Sequence, residues 1–484
     1  MDPKACYSAL AARDRRFDGI FYVGVTSTGI YCRPVCTART PKRANCKFFE
    51  SREAAEKARF RPCLKCRPEL APGNAPVDDA RRIAALVAQR IDEGMLDAGG
   101  GLEVVARKFG WSSRQIRRIV QQELGVSPME LLMTRRLLLA KQLLTETALP
   151  ITEVAFASGF SSLRRFNDAF GTRYGMPPTR FRKTAELQPV AGDGATFTLQ
   201  LAYRPPFDWD GILRFLHART LLGVESVQNG EYHRTVHIGA EPGWVTVRNS
   251  PEKATLSIEL THTLTPVLPA LLGRLRNLFD LAARPDVIAS HLRRDRKLGL
   301  SLKKSPGLRV PGAFDGFELA VRAILGQQVS VKAATTISGR LAAAFGEPVR
   351  FADSSLCFLT PTAQRLAAAT VDEVAAVGIV RSRAASIVAL ARAVDRADVV
   401  LEAGADPDDT IAALVELPGI GPWTASYIAM RALRWPDAFP QGDLVLRKRL
   451  GGVTAAVAEE MSQAWRPWRS YATLHLWSGD AIAE

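Results

Sequence analysis

A chain of 484 residues exceeds what one hydrophobic core organises and suggests about three or four domains. Its 47% apolar content is that of globular protein, and no run approaches the roughly 18 apolar residues of a membrane span. The net charge of +15 is uneven, with 32 Lys/Arg against 19 Asp/Glu in residues 1–190 and 32 against 30 in the rest, so a polyanionic partner is expected to meet the first two-fifths.

Met1-Asp2-Pro3-Lys4 opens no apolar signal segment, which makes the cytoplasm the expected location. Cysteines in that compartment point to metal or catalysis before disulfides. Cys32 and Cys36 are spaced C-x3-C, and Cys63 and Cys66 are spaced C-x2-C. Two close pairs supply the two edges of a tetrahedral four-thiolate zinc site, for which a structural role is the default by spacing alone. Basic residues surround both pairs: Arg33, Arg39, Lys42, Arg43 and Lys47 follow the first, and Arg61, Lys65 and Arg67 frame the second. Cys6 and Cys46 lack a partner at ligand spacing and are read as plain thiols.

Ala71-Pro72-Gly73-Asn74-Ala75-Pro76 reads as a linker, and Ile83, Leu86, Val87 and Ile91 then fall at helical spacing before the break at Gly99-Gly100-Gly101. One pattern follows twice. Leu102–Ala106 leads through Gly110 to Ser112-Ser113-Arg114-Gln115-Ile116-Arg117-Arg118. Ile151–Ala155 leads through Gly159 to Ser161-Ser162-Leu163-Arg164-Arg165-Phe166. Each copy has an apolar helix, a glycine turn, a serine N-cap and a basic second helix, the signature of a helix-turn-helix. A long apolar helix, Leu131–Leu144, joins them. An amphipathic bundle with solvated arginines is the alternative for either copy alone, and the repetition argues against it.

Gln188–Ala195 reads as a second linker. Alternating stretches at Thr196–Tyr203, Tyr232–Ile238, Trp244–Asn249 and Ala254–Leu260 predict strands, with helices at Trp209–Arg219 and Pro266–Asp280. Beyond Phe314 the periodicity is helical, over Phe317–Leu325, Val331–Phe345, Val371–Val377, Arg381–Arg396, Thr410–Leu417, Trp423–Leu433, Asp443–Leu450 and Ser462–Leu476. Within this half, Leu417-Pro418-Gly419-Ile420-Gly421-Pro422 is a tight turn that opens a helix, where backbone N–H groups can meet a phosphate. Asp443, one helix and one Pro/Gly-rich turn later, is placed to face whatever that turn holds. The plain alternative is an ordinary helical hairpin, with Asp443 as the N-cap of the following helix. The late Cys357, in Leu356-Cys357-Phe358, is read as apolar core.

Leu417–Arg431 with Asp443 resembles the helix-hairpin-helix and catalytic aspartate of the base-excision DNA glycosylases, and of the AlkA-type 3-methyladenine DNA glycosylase II in particular. Pro205-Pro206-Phe207-Asp208-Trp209, Val321–Ser330 and Trp465–Tyr471 match the same family in the same order. The resemblance implies Asp443 as the catalytic carboxylate and Trp423, Tyr427, Trp477 and Phe215 as an aromatic base pocket, although each aromatic alone is more often core. Gly419 and Gly421 would meet the DNA backbone, and Gln328 would be the wedge that fills the gap left by a flipped nucleotide; a helix-interior glutamine is its plain alternative. Trp423 stands where lyase-type relatives carry lysine, which implies a monofunctional enzyme. Gly442 leaves no second acid beside Asp443, and this half holds no four-cysteine iron–sulfur loop.

Tyr31–Cys36 with Phe60–Pro68 resembles the N-terminal domain of the Ada DNA-repair regulators, in which the first cysteine of the C-x3-C pair ligates zinc and accepts methyl from a DNA methylphosphotriester. That role would fall to Cys32. Methylation would take the four-thiolate zinc centre from −2 to −1 and weaken its repulsion of DNA. Residues 76–187 resemble the AraC-type DNA-binding domain, which implies Arg114, Arg117, Arg118, Arg164 and Arg165 as the basic residues of two groove-entering helices. The usual O6-methylguanine methyltransferase module is absent from the sequence.

The expectation is thus a multidomain α+β protein: a zinc methyl-acceptor domain (1–75), an all-α double helix-turn-helix (76–187), a sheet domain (195–305) and a helical glycosylase domain (306–484). Zinc is the implied cofactor. Double-stranded DNA, alkylated and operator, and RNA polymerase are the implied partners. The rival expectation is a transcriptional regulator whose C-terminal half binds damaged DNA without chemistry.

Overall fold

The computed structural model describes residues 3–478 apart from 14–17, 19–20, 50–51, 69–78, 93, 95–100, 109–110, 185–194, 239–241, 352 and 404. The expected linkers at 71–76 and 188–194, Gly99, Gly100 and the turn glycine Gly110 lie outside the described residues. Two compact units form, residues 1–91 with 98–132 and residues 92–97 with 133–484.

The first unit begins with α1 (Pro3–Ala11) and a sheet of β1 (Tyr22–Val25), β2 (Ile30–Cys32), β3 (Cys46–Phe49) and β4 (Arg61–Pro62), with α2 (Arg52–Lys57) before β4. The strand order is β3-β1-β2-β4. Because β2 and β4 run parallel, with Ile30 beside Arg61 and Tyr31 beside Pro62, the two strands end side by side. Each then turns into one of the cysteine pairs. After α3 (Asp79–Asp92) come α4 (Gly101–Lys108) and α5 (Ser113–Leu124). Ser112 starts α5 with a capping box: its Oγ accepts from the Gln115 amide, and the Gln115 side chain accepts from the Ser112 amide. Gly125 ends the helix at φ 74°.

The helix α6 (Pro128–Glu146) leads to the second copy, α7 (Ile151–Ala157) and α8 (Leu163–Tyr174), followed by α9 (Pro178–Thr184). The punctuation repeats, with Ser162 Oγ accepting from the Arg165 amide and Gly175 closing α8 at φ 70°. Next is an antiparallel sheet of β5 (Thr196–Ala202), β6 (Glu225–Gln228), β7 (Glu231–His237), β8 (Pro242–Ser250) and β9 (Thr255–Thr261), ordered β5-β9-β8-β7-β6. Alternation puts Phe197, Leu199 and Leu201 of β5, and Leu256, Ile258 and Leu260 of β9, on one buried face. That face shares a core with α10 (Trp209–His217) and α11 (Leu268–Leu278). Nothing in the residue pattern announces β6, since Glu-Ser-Val-Gln neither alternates nor carries bulk.

The remaining helices are α12 (Pro285–Leu292), α13 (Arg296–Lys304), α14 (Gly316–Leu325), α15 (Val331–Phe345), α16 (Ala363–Ala367), α17 (Val371–Ala376), α18 (Arg381–Asp395), α19 (Pro407–Val415), α20 (Pro422–Arg431), α21 (Leu444–Arg449), α22 (Ala455–Ser462) and α23 (Arg469–Ser478). The expected single helix Ser462–Leu476 is broken: a 3-10 turn at Gln463–Trp465 precedes Arg466-Pro467, and α23 starts only at Arg469. Proline has no amide to continue the ladder and displaces the residue before it from helical geometry. Cys357, expected in the core, is only half-buried.

Four charges, three of them buried and Arg322 half-buried, join the sheet to the helical part. Arg234 on β7 meets Glu318 of α14 at 2.9 Å and Glu225 of β6 at 3.4 Å. Arg322 of α14 meets the same two carboxylates at 3.2 and 3.1 Å. Tyr232 donates to Glu225 at 2.5 Å. Burial alone would raise the Glu225 carboxyl, but Arg322 and Arg234 outweigh it and hold it below the usual range.

Candidate metal centre and candidate active site

The Sγ atoms of Cys32, Cys36, Cys63 and Cys66 all lie within 4.8 Å of one another. Tetrahedral zinc with bonds of about 2.3 Å needs sulfur–sulfur edges of about 3.8 Å, so the four residues fit that ion. Their surroundings differ. Cys66 accepts a hydrogen bond from the Arg33 amide at 3.4 Å, and Cys36 accepts one from the Ala38 amide. Among the described residues no amide donates to Cys32, and Cys32 is half-exposed while the other three are buried. An N–H···S bond withdraws charge from a thiolate, so the uncapped and accessible sulfur is the better nucleophile. Arg33 departs from the expected basic rim. It is 2% exposed, and its Nε donates to Asp18 at 2.8 Å. Arg39, Lys42, Arg43, Lys47, Arg61, Lys65 and Arg67 are exposed.

In the second unit the turn before α20 carries Gly419 at φ 78°, where a side chain would also strike Ser386 Oγ at 2.2 Å. Gly421 is the N-cap and Pro422 opens the helix, leaving both glycines exposed at a helix N-terminus. Gln327 Nε2 donates to the Gly419 carbonyl at 2.9 Å and to Thr424 Oγ1 at 3.0 Å, tying the turn to the segment between α14 and α15. Gln328, next in that segment, is exposed at φ 55°. It sits in a strained turn, not inside a helix, and such strain persists only where neighbours hold it.

Asp443 is both things the sequence allowed. Its Oδ1 caps α21 by accepting from the Leu446 amide at 2.9 Å. The same oxygen accepts from Trp477 Nε1 at 3.1 Å, and Oδ2 accepts from Trp423 Nε1 at 3.2 Å. Trp423 and Tyr427, four residues apart on α20, stack with centroids 5.6 Å apart at 7°, and Trp477 lies 6.3 Å from Tyr427. Phe215 reaches this group through an arginine: Arg431 Cζ lies 4.7 Å from the Phe215 centroid, and its Nη1 donates to Tyr427 OH at 2.7 Å. Arg219 covers Phe215 at 3.9 Å. Burial would raise the Tyr427 phenol, but Arg431, Arg219 and Arg322 prevail and lower it.

The sequence reading missed Arg431 and Arg219. The available signal was an arginine one turn after Tyr427 in an otherwise apolar helix, a position usually taken for a solvated face. The arrangement offers a fixed carboxylate beside flat aromatic surfaces, with exposed backbone at the start of the helix that carries Trp423 and Tyr427. Arg114, Arg117 and Arg118 of α5, and Arg164 and Arg165 of α8, are exposed on their helices, consistent with contact to a polyanion.

Four family models match the chain in order: the metal binding domain of Ada over residues 5–69, a helix-turn-helix domain over 105–184, the AlkA N-terminal domain over 198–315, and the HhH-GPD superfamily base excision DNA repair protein over 321–470. The probable bifunctional transcriptional activator/DNA repair enzyme AlkA of Mycobacterium tuberculosis is 38% identical over 99% of this chain and 96% of its own length. The DNA-3-methyladenine glycosylase 2 of Escherichia coli is 38% identical over 57% of this chain and 95% of its own. The solved 3-methyladenine DNA-glycosylase of Archaeoglobus fulgidus shares the fold, with a TM-score of 0.50, 19% identity, and cover of 57% of this chain and 96% of that one.

Proposed function

The chain belongs to the family of bifunctional transcriptional activator/DNA repair enzymes AlkA, and from that premise we propose that it excises alkylated bases from DNA and accepts methyl groups that switch its regulator half. The observation that carries the excision reading is Asp443, whose two carboxylate oxygens are held by the indole N–H groups of Trp423 and Trp477 beside the Trp423–Tyr427 stack. As the N-glycosidic bond lengthens, positive charge grows on the deoxyribose and the base leaves with the bonding electrons. A carboxylate held in place stabilises that charge without reorganising. Water completes the hydrolysis, with Asp443 able to orient it or take its proton. Trp423 offers no amine for a Schiff base, so the reaction is monofunctional. A cationic alkylpurine needs no further protonation to depart, and the faces of Trp423 and Tyr427 favour it by cation–π attraction.

Gly419 and Gly421 hold a phosphate of the damaged strand, and Gln328 fills the space that the flipped nucleotide leaves. On this reading the zinc methyl-acceptor domain takes residues 1–75, the double helix-turn-helix 76–187, the sheet domain 195–305 and the glycosylase domain 306–484.

In the first unit, Cys32, Cys36, Cys63 and Cys66 would hold zinc, which when bound would keep their thiolates deprotonated. Cys32 Sγ attacks the methyl carbon of a methylphosphotriester; an S–C bond forms, the C–O bond breaks, and a phosphodiester anion leaves. Methylated protein then binds operator DNA through α5 and α8 in the cytoplasm, with RNA polymerase as the responding partner. Purified protein incubated with methylated duplex DNA tests both chemistries through free bases in solution and methyl on Cys32. Damage binding without free base would instead support the purely regulatory rival.

A further inference from the structure

One edge of the five-stranded sheet, β5, is capped at Gln200 by a helix of the preceding domain. The Gln200 amide of β5 donates to Glu146 Oε2 at 2.8 Å, and the Gln200 carbonyl accepts from Gln142 Nε2 at 2.7 Å. Gln142 and Glu146 lie one turn apart on α6 and are bonded to each other at 3.0 Å. They therefore satisfy both backbone groups at a position where an edge strand would otherwise be exposed. Nearby, His262 at the end of β9 lies 3.9 Å from Glu153 of α7 and packs on Phe197 at 5.1 Å. One apolar core runs without a break from Leu137, Leu143 and Val154 to Leu199, Ile258 and Leu271. The contact consumes α6 and α7 but not the outer side of α8: Phe166 and Phe170 point inward, and Arg164 and Arg165 stay exposed.

We infer that the second helix-turn-helix unit is a fixed DNA-binding arm of the excision module, so that α8 and Asp443 engage one duplex from a single rigid body. The inference rests on reading α8 as a DNA reader and Asp443 as the excision residue. The hydrogen-bond clamp and the shared core, more than the covalent connection through residues 185–194, hold the arm in place.

To test this, a site-specific protease sequence is inserted between Gln188 and Ala195 of the full chain and cut after purification. The two fragments should co-elute on gel filtration, and the double variant Gln142→Ala/Glu146→Ala should weaken their association about tenfold or more on dilution; unchanged association rejects the clamp. In the cut protein, Arg164→Ala/Arg165→Ala should raise KM for methylated duplex DNA about tenfold, as expected for lost phosphate contacts. Separation of the unsubstituted fragments overturns the docking, and an unchanged KM overturns the arm. If the clamp variant does not fold, slow hydrogen exchange at the Gln200 amide of the native chain decides, and fast exchange there rejects the clamp. A chain that releases no base from methylated DNA refutes the excision reading, while co-elution still judges the docking.

Discussion

Replacing Asp443 by Asn separates its two jobs. Asn serves as an N-cap about as well as Asp, so the bond from the Leu446 amide to Oδ1 at 2.9 Å should survive. Oδ1 also holds Trp477, which leaves the new amide nitrogen facing Trp423 Nε1, where a donor now meets a donor. That mismatch costs about 1–3 kcal/mol, a modest loss of stability confined to the excision module. The lost charge costs more in rate. A sugar cation at about 4 Å from a carboxylate, with an effective dielectric near 20, is stabilised by about 4 kcal/mol. Its removal should slow base release about a thousandfold. Single-turnover release of 3-methyladenine from methylated duplex, followed by chromatography beside a DNA-binding titration, measures both effects. Release within tenfold of the unsubstituted protein, with binding intact, would refute the electrostatic role of Asp443.

Cys32→Ala should abolish methyl uptake, read by peptide mass, while base release continues. Methylation of Cys32 in the unsubstituted protein should tighten binding to its operator about ten- to hundredfold at low salt, and less at high salt, as screening of one unit charge requires. Equal affinities at low salt would reject the charge switch. Gln328→Gly removes a left-handed strain, so thermal stability should change by less than about 1 kcal/mol while base release falls about tenfold; a stability loss without loss of release would make Gln328 structural only. His475 is buried against Ser301 Oγ at 2.9 Å, and burial lowers its pKa to about 4. Because the unfolded chain binds that proton near pH 6.5, its neutral burial contributes fully above that pH. The contribution, on the order of 3 kcal/mol, is lost as pH falls from about 6.5 to about 4. Denaturation of His475→Gln across that window should show a shallower acid slope, and an identical slope would sink the assignment.

The features read correctly from sequence were those written in contiguous residues. The Pro-Gly-x-Gly-Pro turn, the serine caps before α5 and α8, and the two cysteine pairs each specify local geometry within a few positions. The four-sulfur cluster followed because parallel pairing of β2 and β4 aligns two motifs that already carry their own turns. What escaped depends on distant partners. The strand β6 exists because β7 offers it a ladder and Arg234 pairs Glu225. Arg431 is buried because Tyr427 OH and the carbonyls of Pro311 and Gly312 satisfy it, none of which its own helix announces. Local composition places Arg33 on a basic rim, yet Asp18, fifteen residues earlier, draws it inside.

The joint of Glu225, Arg234, Glu318 and Arg322 also bears on how such chains diverge. Losing any one member leaves the other three with one uncompensated charge in a largely buried joint, at a cost of up to about 3–5 kcal/mol, comparable with much of a domain's net stability. No single substitution leads smoothly from this joint to an apolar one, even where the all-apolar endpoint would be equally stable. Descendant lineages should therefore inherit the quartet intact or lose it wholesale, while the surfaces of the sheet and the helical half drift freely around it.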